Sequence, residues 1–270
     1  MKIIEIQTSP IAEFQYLNAG RGPGQFYEDR LPVHVARVDR LPDGVSAIVV
    51  TADLQGRERF QDSAGGPLRL LGEVLPQRLV REVLPTLGIR ESMPVGVFLA
   101  GDFYTVPALD QRGGTGDVTS VWRAFADSFS WGVGVPGNHD LFGDPPQRRP
   151  KLPSRMHYLD GDTVNVAGLK IAGLGGIIGN INRINRRSED DYLATLKRLV
   201  EAPPDILLMH DGPDGSQPAQ RGLLRIRELL IESGMGLVIR GHAHWDQPFA
   251  EFKSGLQVLN VDARVVVLTT

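Results

Sequence analysis

The chain has 270 residues, a formal net charge of −3, 41% hydrophobic residues and 23% charged residues, the balance of a globular protein with a sizeable core. It contains no cysteine, which excludes a disulfide framework, a thiolate metal site and a cysteine nucleophile together. The near-neutral charge lowers the expectation of a large nucleic-acid substrate, which usually calls for a basic stripe, and no apolar run approaches the length of a membrane span. Met1–Ile6 has a charge inside its short apolar run, unlike a signal-peptide core. A cytoplasmic enzyme is the default expectation, with one domain over residues 1–270. Residues 1–45 would be an extension packed on a core at 47–245, and residues 246–270 would add closing strands.

In chain order, Ile4–Ile6 and Val33–Val38 read as strands, the second alternating with period 2, and Gly20–Gly24 as a loop between them. Ala47–Ala52 is apolar and β-branched, suited to a strand buried on both faces. A Gly-rich polar stretch to Gly66 follows. Leu71, Leu75, Leu79 and Val83 recur every four residues and predict a helix over 68–84 that Pro76 kinks or splits. Val95–Ala100 is a second buried strand, 110–117 a loop, 118–129 a helix, 132–135 a third strand and 141–155 an irregular segment. Residues 164–166 and 169–172 form a hairpin across Ala167-Gly168, and 173–187 is a Gly/Asn/Arg loop. Ser188 caps a helix that opens with Glu189, Asp190 and Asp191, where the helix dipole favours acids. A strand at 205–209, a helix over 220–233 closed by Gly234, a strand at 237–240 and short strands at 249–252, 256–261 and 264–268 complete the chain.

Five polar clusters stand just after five of these strands: Asp53-Leu54-Gln55-Gly56, Gly101-Asp102, Gly137-Asn138-His139-Asp140, His210-Asp211 and Gly241-His242-Ala243-His244. In α/β sheets the carboxyl ends of the strands converge on one ligand-binding rim, so one shared site is expected. Without cysteine the donors are carboxylate, imidazole and amide oxygen, a set that suits Mn, Fe, Zn, Ni or Co better than Mg. Asp53, Gln55, Asp102, Asn138, His210, His242 and His244 are too many donors for one ion, so two metals are expected, with Asp102 the candidate bridge. His242 and His244, two residues apart, project to the same side of an extended backbone. Singly, each residue reads as turn or cap chemistry; the ordered set carries the signal. His34 and His157 read as ordinary side chains, and Asp211 as structural or solvated. Arg57 and Arg183 can hold a substrate phosphate in a bidentate fork, although an exposed basic loop is the plainer reading of each. Tyr16, Phe26 and Tyr27 are candidates for either an aromatic wall over the site or core packing.

This ordered series resembles the calcineurin-like metallophosphoesterase superfamily across roughly residues 47–245. The resemblance implies a four-layer α/β/β/α sandwich. It implies one metal held by Asp53, position 55, Asp102 and His244, and a second held by Asp102, Asn138, His210 and His242. It further implies a metal-bridging hydroxide attacking phosphorus, with His139 stabilising the transition state or protonating the leaving oxygen and Asp140 orienting the His139 ring. Gln55 departs from the family, which usually has His there. A neutral amide oxygen makes a weaker site that tilts toward harder ions, so Mn heads the list. The expected activity is hydrolysis of a small phosphodiester or nucleotide-type substrate. A phosphomonoesterase, or a weakly active or non-catalytic scaffold on the same fold, is the alternative.

Overall fold

The computed structural model describes the whole chain except residues 21, 23, 60–67 and 148; part of the Gly20–Gly24 loop and most of the stretch to Gly66 therefore lie outside the described residues. Two sheets stack face to face. The first runs Met156–Tyr158, Trp131–Gly134, Val95–Leu99, Ala47–Ala52, Arg264–Thr269, Tyr27–Val38, Ala12–Asn18, Gly56–Glu58, with Ile3–Ile6 also paired to Tyr27–Val38. The second runs Asp162–Val166, Leu169–Leu174, Ile206–Met209, Leu237–Arg240, Gln257–Asn260, Phe249–Glu251. The first four strands of the first sheet are mutually parallel, as are the middle four of the second. The N-terminal segment is thus woven into the first sheet as strands.

Strand alternation sorts the core into three layers. On Ala47–Ala52, Val49 faces the helices α1 (Leu71–Arg78) and α2 (Thr119–Ser128), while Ile48, Val50 and Ala52 face the second sheet. On Ile206–Met209, Ile206 and Leu208 face the first sheet, and Leu207 and Met209 face α3 (Glu189–Val200) and α4 (Leu224–Glu232). Strands covered on both faces have no polar side to show, which is why these runs are continuously apolar. The result is the expected α/β/β/α sandwich.

Some elements differ from their sequence reading. The helix expected over 68–84 is α1 followed by a wider turn at Leu79–Val83 and a tighter one at Leu84–Leu87; Pro76 lies inside α1 without an N–H to give, and the Leu79 N–H is shared between Leu75 and Pro76 carbonyls. The helix expected from residue 220 starts at Leu224. Gln220 is buried instead, and its amide donates to the Gln247 and Phe249 carbonyls. The Arg221 carbonyl is taken by Trp245 Nε1 at 2.7 Å and Arg240 Nη1 at 2.9 Å. Inside the expected loops, Gly116–Asp117 pairs with Asp140–Leu141 and Ile177–Ile178 with Arg186–Arg187. Ala167 and Gly168 both take positive φ, 50° and 79°, as a two-residue hairpin requires. Ser188 Oγ accepts the Asp191 N–H at 3.2 Å, the expected cap.

Candidate metal centre

Three of the polar clusters leave the first sheet and two leave the second, all at the carboxyl ends of parallel strands. Within each sheet, neighbouring strand ends are tied by a main-chain bond, from Asp53 N to Gly101 O (2.8 Å) in the first and from Gly241 N to His210 O (3.2 Å) in the second. The approach needs glycine at two points. A Cβ on Gly137 would stand 1.9 Å from Asp102 Oδ1, and one on Gly241 2.4 Å from Asp53 Oδ2. Asp53, Asp102 and His242 turn off their strands with positive φ of 54°, 60° and 70°, a conformation that non-glycine residues hold against strain and that clusters at functional sites.

The side chains converge. One donor atom from each of Asp102, His210 and His242 lies within 4.8 Å of the others. His210 Nε2 is 3.3 Å from Asp102 Oδ2 and 3.2 Å from Asn138 Oδ1. His210 Nδ1 donates to the Ala100 carbonyl at 2.7 Å, which fixes the ring and leaves Nε2 facing the cluster. The His210 and His242 rings are 5.1 Å apart. Asp53 Oδ2 accepts the His242 N–H at 2.9 Å, and Gln55 Nε2 meets Asp102 Oδ2 at 3.3 Å; a half-turn of that amide presents its oxygen at the same place.

Other expected residues are placed differently. Asp140 is buried, and its two oxygens accept the N–H groups of Asp102, Phe103 and Gly137, each at 2.8 Å. It braces the loops that carry the donors; the side-chain partner of the His139 ring is Thr115 Oγ1, 3.4 Å from Nδ1. The His139 N–H donates to Asp102 Oδ1 at 2.8 Å, and its ring lines the cleft. His244 turns aside: Nδ1 is 3.1 Å from Asp262 Oδ1, and Nε2 is 3.2 Å from Arg264 Nη2. Arg57 is buried and spends its guanidinium on the Thr105 (2.7 Å), Val106 (3.2 Å) and Leu68 carbonyls, so it holds backbone in place of substrate. Arg183 is exposed and does not line the cleft.

The cleft, about 290 Å³, is also lined by Asp262, Arg112 and Asn18, which the sequence alone does not assign to it. Asp262 follows the strand Gln257–Asn260 just as the other clusters follow theirs, so the strand-end rule was the signal available. Arg112 donates to the Ala19 carbonyl (3.0 Å) and the Tyr27 hydroxyl (2.6 Å), and Asn18 stands beside Tyr16 and Tyr27 in the wall. Tyr16 and Tyr27 thus form part of a wall. Just outside the cleft, Asn185 Nδ2 donates to the Gly137 (2.9 Å) and Asp140 (2.7 Å) carbonyls and clamps that turn.

Burial and charge set the titration. Burial opposes the His210 cation, but Asp102 beside it wins and pushes the imidazole up to about 10. Burial likewise opposes the Asp102 anion, yet His210 and the His139 N–H hold its carboxyl below the usual range. His242 is driven down to about 4 by burial and by the His210 charge. Burial, reinforced by the Asp262 charge, raises the Asp53 carboxyl well above its ordinary value. Asp140 is pushed up to about 6 by burial and by Asp102. Burial also lowers His139, against the Asp102 charge and with His210 and Arg186 adding to the effect.

Carboxylate, imidazole and amide oxygen on one rim are the donor chemistry of a divalent metal. The model of the family described as calcineurin-like phosphoesterase matches residues 46–246. Among solved structures, the protein TT1561 of Thermus thermophilus is similar at 15% identity and a TM-score of 0.50, covering 81% of this chain and 90% of that one, a likeness of fold. No curated protein matches the chain.

Proposed function

The chain belongs to the calcineurin-like phosphoesterase family, and from that premise we propose that it is a binuclear-metal hydrolase of a small phosphodiester or nucleotide-type substrate. The observation that carries the proposal is the convergence of Asp102, His210 and His242 within 4.8 Å, with Asn138 against His210. Asp102, Asn138, His210 and His242 would hold one ion. Asp53, Gln55 and the shared Asp102 would face the other, and the family pattern adds His244 to that side. When bound, divalent ions, Mn first, would polarise the phosphoryl oxygens and make water a nucleophile at neutral pH.

The remaining work falls to the chain itself. His139, on the cleft wall, presents an imidazole N–H to the leaving or phosphoryl oxygen. Its backbone bond to Asp102 keeps that ring in register with the donors. Arg112, anchored on Ala19 and Tyr27, brings a positive charge to the cleft wall for a phosphate oxygen. Tyr16 and Tyr27 narrow the cleft to about 290 Å³, a size that supports a small substrate over a polymer. Assay of the Mn-loaded protein on bis-p-nitrophenyl phosphate and p-nitrophenyl phosphate tests this reading. Turnover with preference for the diester is expected; preference for the monoester would move the assignment to a phosphatase, and no turnover of either with metal bound would favour a scaffold.

A further inference from the structure

We infer that Asp262, in place of His244, supplies the remaining anionic donor on the Asp53 side of the metal centre; this rests on the binuclear reading above. Asp262 sits at the end of the strand Gln257–Asn260, and its backbone bridges Ala52, the residue before Asp53. The neighbouring Ala263 N–H donates to the Ala52 carbonyl at 3.2 Å. These bonds lock the two carboxylate-bearing strand ends side by side. Asp262 lines the cleft together with Asp53, Gln55 and Asp102. One of its oxygens meets His244 Nδ1; among the described residues the other accepts no hydrogen bond.

His244 is poorly disposed to ligate. Its side chain is 53% exposed, it is not part of the cleft lining, and the Arg264 guanidinium stands 3.2 Å from Nε2. A cation held on that nitrogen would repel a second one. The ring instead braces Asp262 through Nδ1; a ligating carboxylate is itself hydrogen-bonded in this way. With Asp262 included, the Asp53 half offers three carboxylates and the Gln55 amide, an all-oxygen set. The other half offers two imidazoles, the Asn138 amide and the shared Asp102. The two imidazoles of the family pattern on this side, at positions 55 and 244, are thus replaced by an amide oxygen and a carboxylate. The two halves differ in chemistry: the oxygen set suits Mn or Mg, and the imidazole set suits Zn, Fe or Co.

The test is the Mn stoichiometry of the metal-stripped full chain after reloading, measured by elemental analysis and by Mn electron paramagnetic resonance. The wild type, Asp262→Asn and His244→Gln are compared. The expected result is two equivalents in the wild type and in His244→Gln, and one in Asp262→Asn. The equivalent retained in Asp262→Asn also shows that the variant is folded. Two equivalents in Asp262→Asn, or loss of one in His244→Gln, overturns the inference and makes His244 the donor. Fewer than two equivalents in the wild type overturns the binuclear reading itself, a failure visible before either variant is read.

Discussion

His139 and Asp140 are neighbours in sequence with separate work. His139 meets the donors through its backbone and the cleft through its ring. His139→Ala therefore keeps the bond to Asp102 and should keep its metals while losing about 10²–10⁴-fold in turnover, the usual worth of a positioned acid–base group. Parallel metal analysis and kinetics check this; loss of metal would show that the ring is a donor. Asp140 accepts three backbone N–H groups. An Asn there aims its amide hydrogens at those donors, so Asp140→Asn should lose about 1–3 kcal/mol of stability, the cost of unsatisfied buried polar groups, in a urea titration. A variant of wild-type stability with an altered pH–rate profile would instead mean that Asp140 acts on the imidazole. The sequence makes Asp53, Asp102, Asn138, His139, His210 and His242 legible because each sits just past a readable strand. It hides Arg112, whose place follows from a bond to Tyr27 more than eighty residues away. It also hides the use of Arg57, because three carbonyls that capture a guanidinium leave no motif.

Strand ends carry the site, and their spacing leaves no room for added atoms. Gly137→Ala would place a methyl on Asp102 Oδ1. Overpacking of this kind costs about 1–3 kcal/mol, and here the atoms displaced are those of a donor carboxylate. The expected outcome is lowered stability together with weakened Mn binding, read by thermal melts and titration of the same preparation; unchanged Mn affinity would show that the close approach does not set the site. The positive φ of Asp53, Asp102 and His242 belongs to the same scale. Composition does not show it, since aspartate and histidine at a strand end read equally well as turn residues. The helices are legible where apolar spacing or a cap marks them, as at α2 and at Ser188. They were misjudged where a tertiary contact claimed the first turn, as at Gln220 and Arg221.

The whole molecule explains why the layer order could be read and much of the first sheet could not. Continuous apolar runs mark strands covered on both faces. The pairing of Arg264–Thr269, from the chain's end, between Ala47–Ala52 and Tyr27–Val38 is a long-range choice with no local signal. His34 lies in that seam, nearly buried, its Nδ1 donating to the Gln7 carbonyl at 3.2 Å. Burial lowers its pKa below the ordinary 6.5. The folded chain therefore resists protonation that the unfolded chain accepts. The stability that follows is present above pH 6.5 and is lost as pH falls toward the lowered folded value. The stability difference between wild type and His34→Gln should shift against the wild type across that window in denaturant titrations at stepped pH; a pH-independent difference would contradict the assignment.

The central claim is that the Asp102–His210–His242 cluster binds divalent metal and that this metal hydrolyses phosphoesters. Its most direct measurement is the turnover of bis-p-nitrophenyl phosphate by chelator-stripped protein as Mn is returned, beside an Asp102→Asn variant. The expected result is no turnover without metal, recovery that saturates with bound Mn, and none in the variant. Turnover that persists in the stripped protein or survives Asp102→Asn would contradict it.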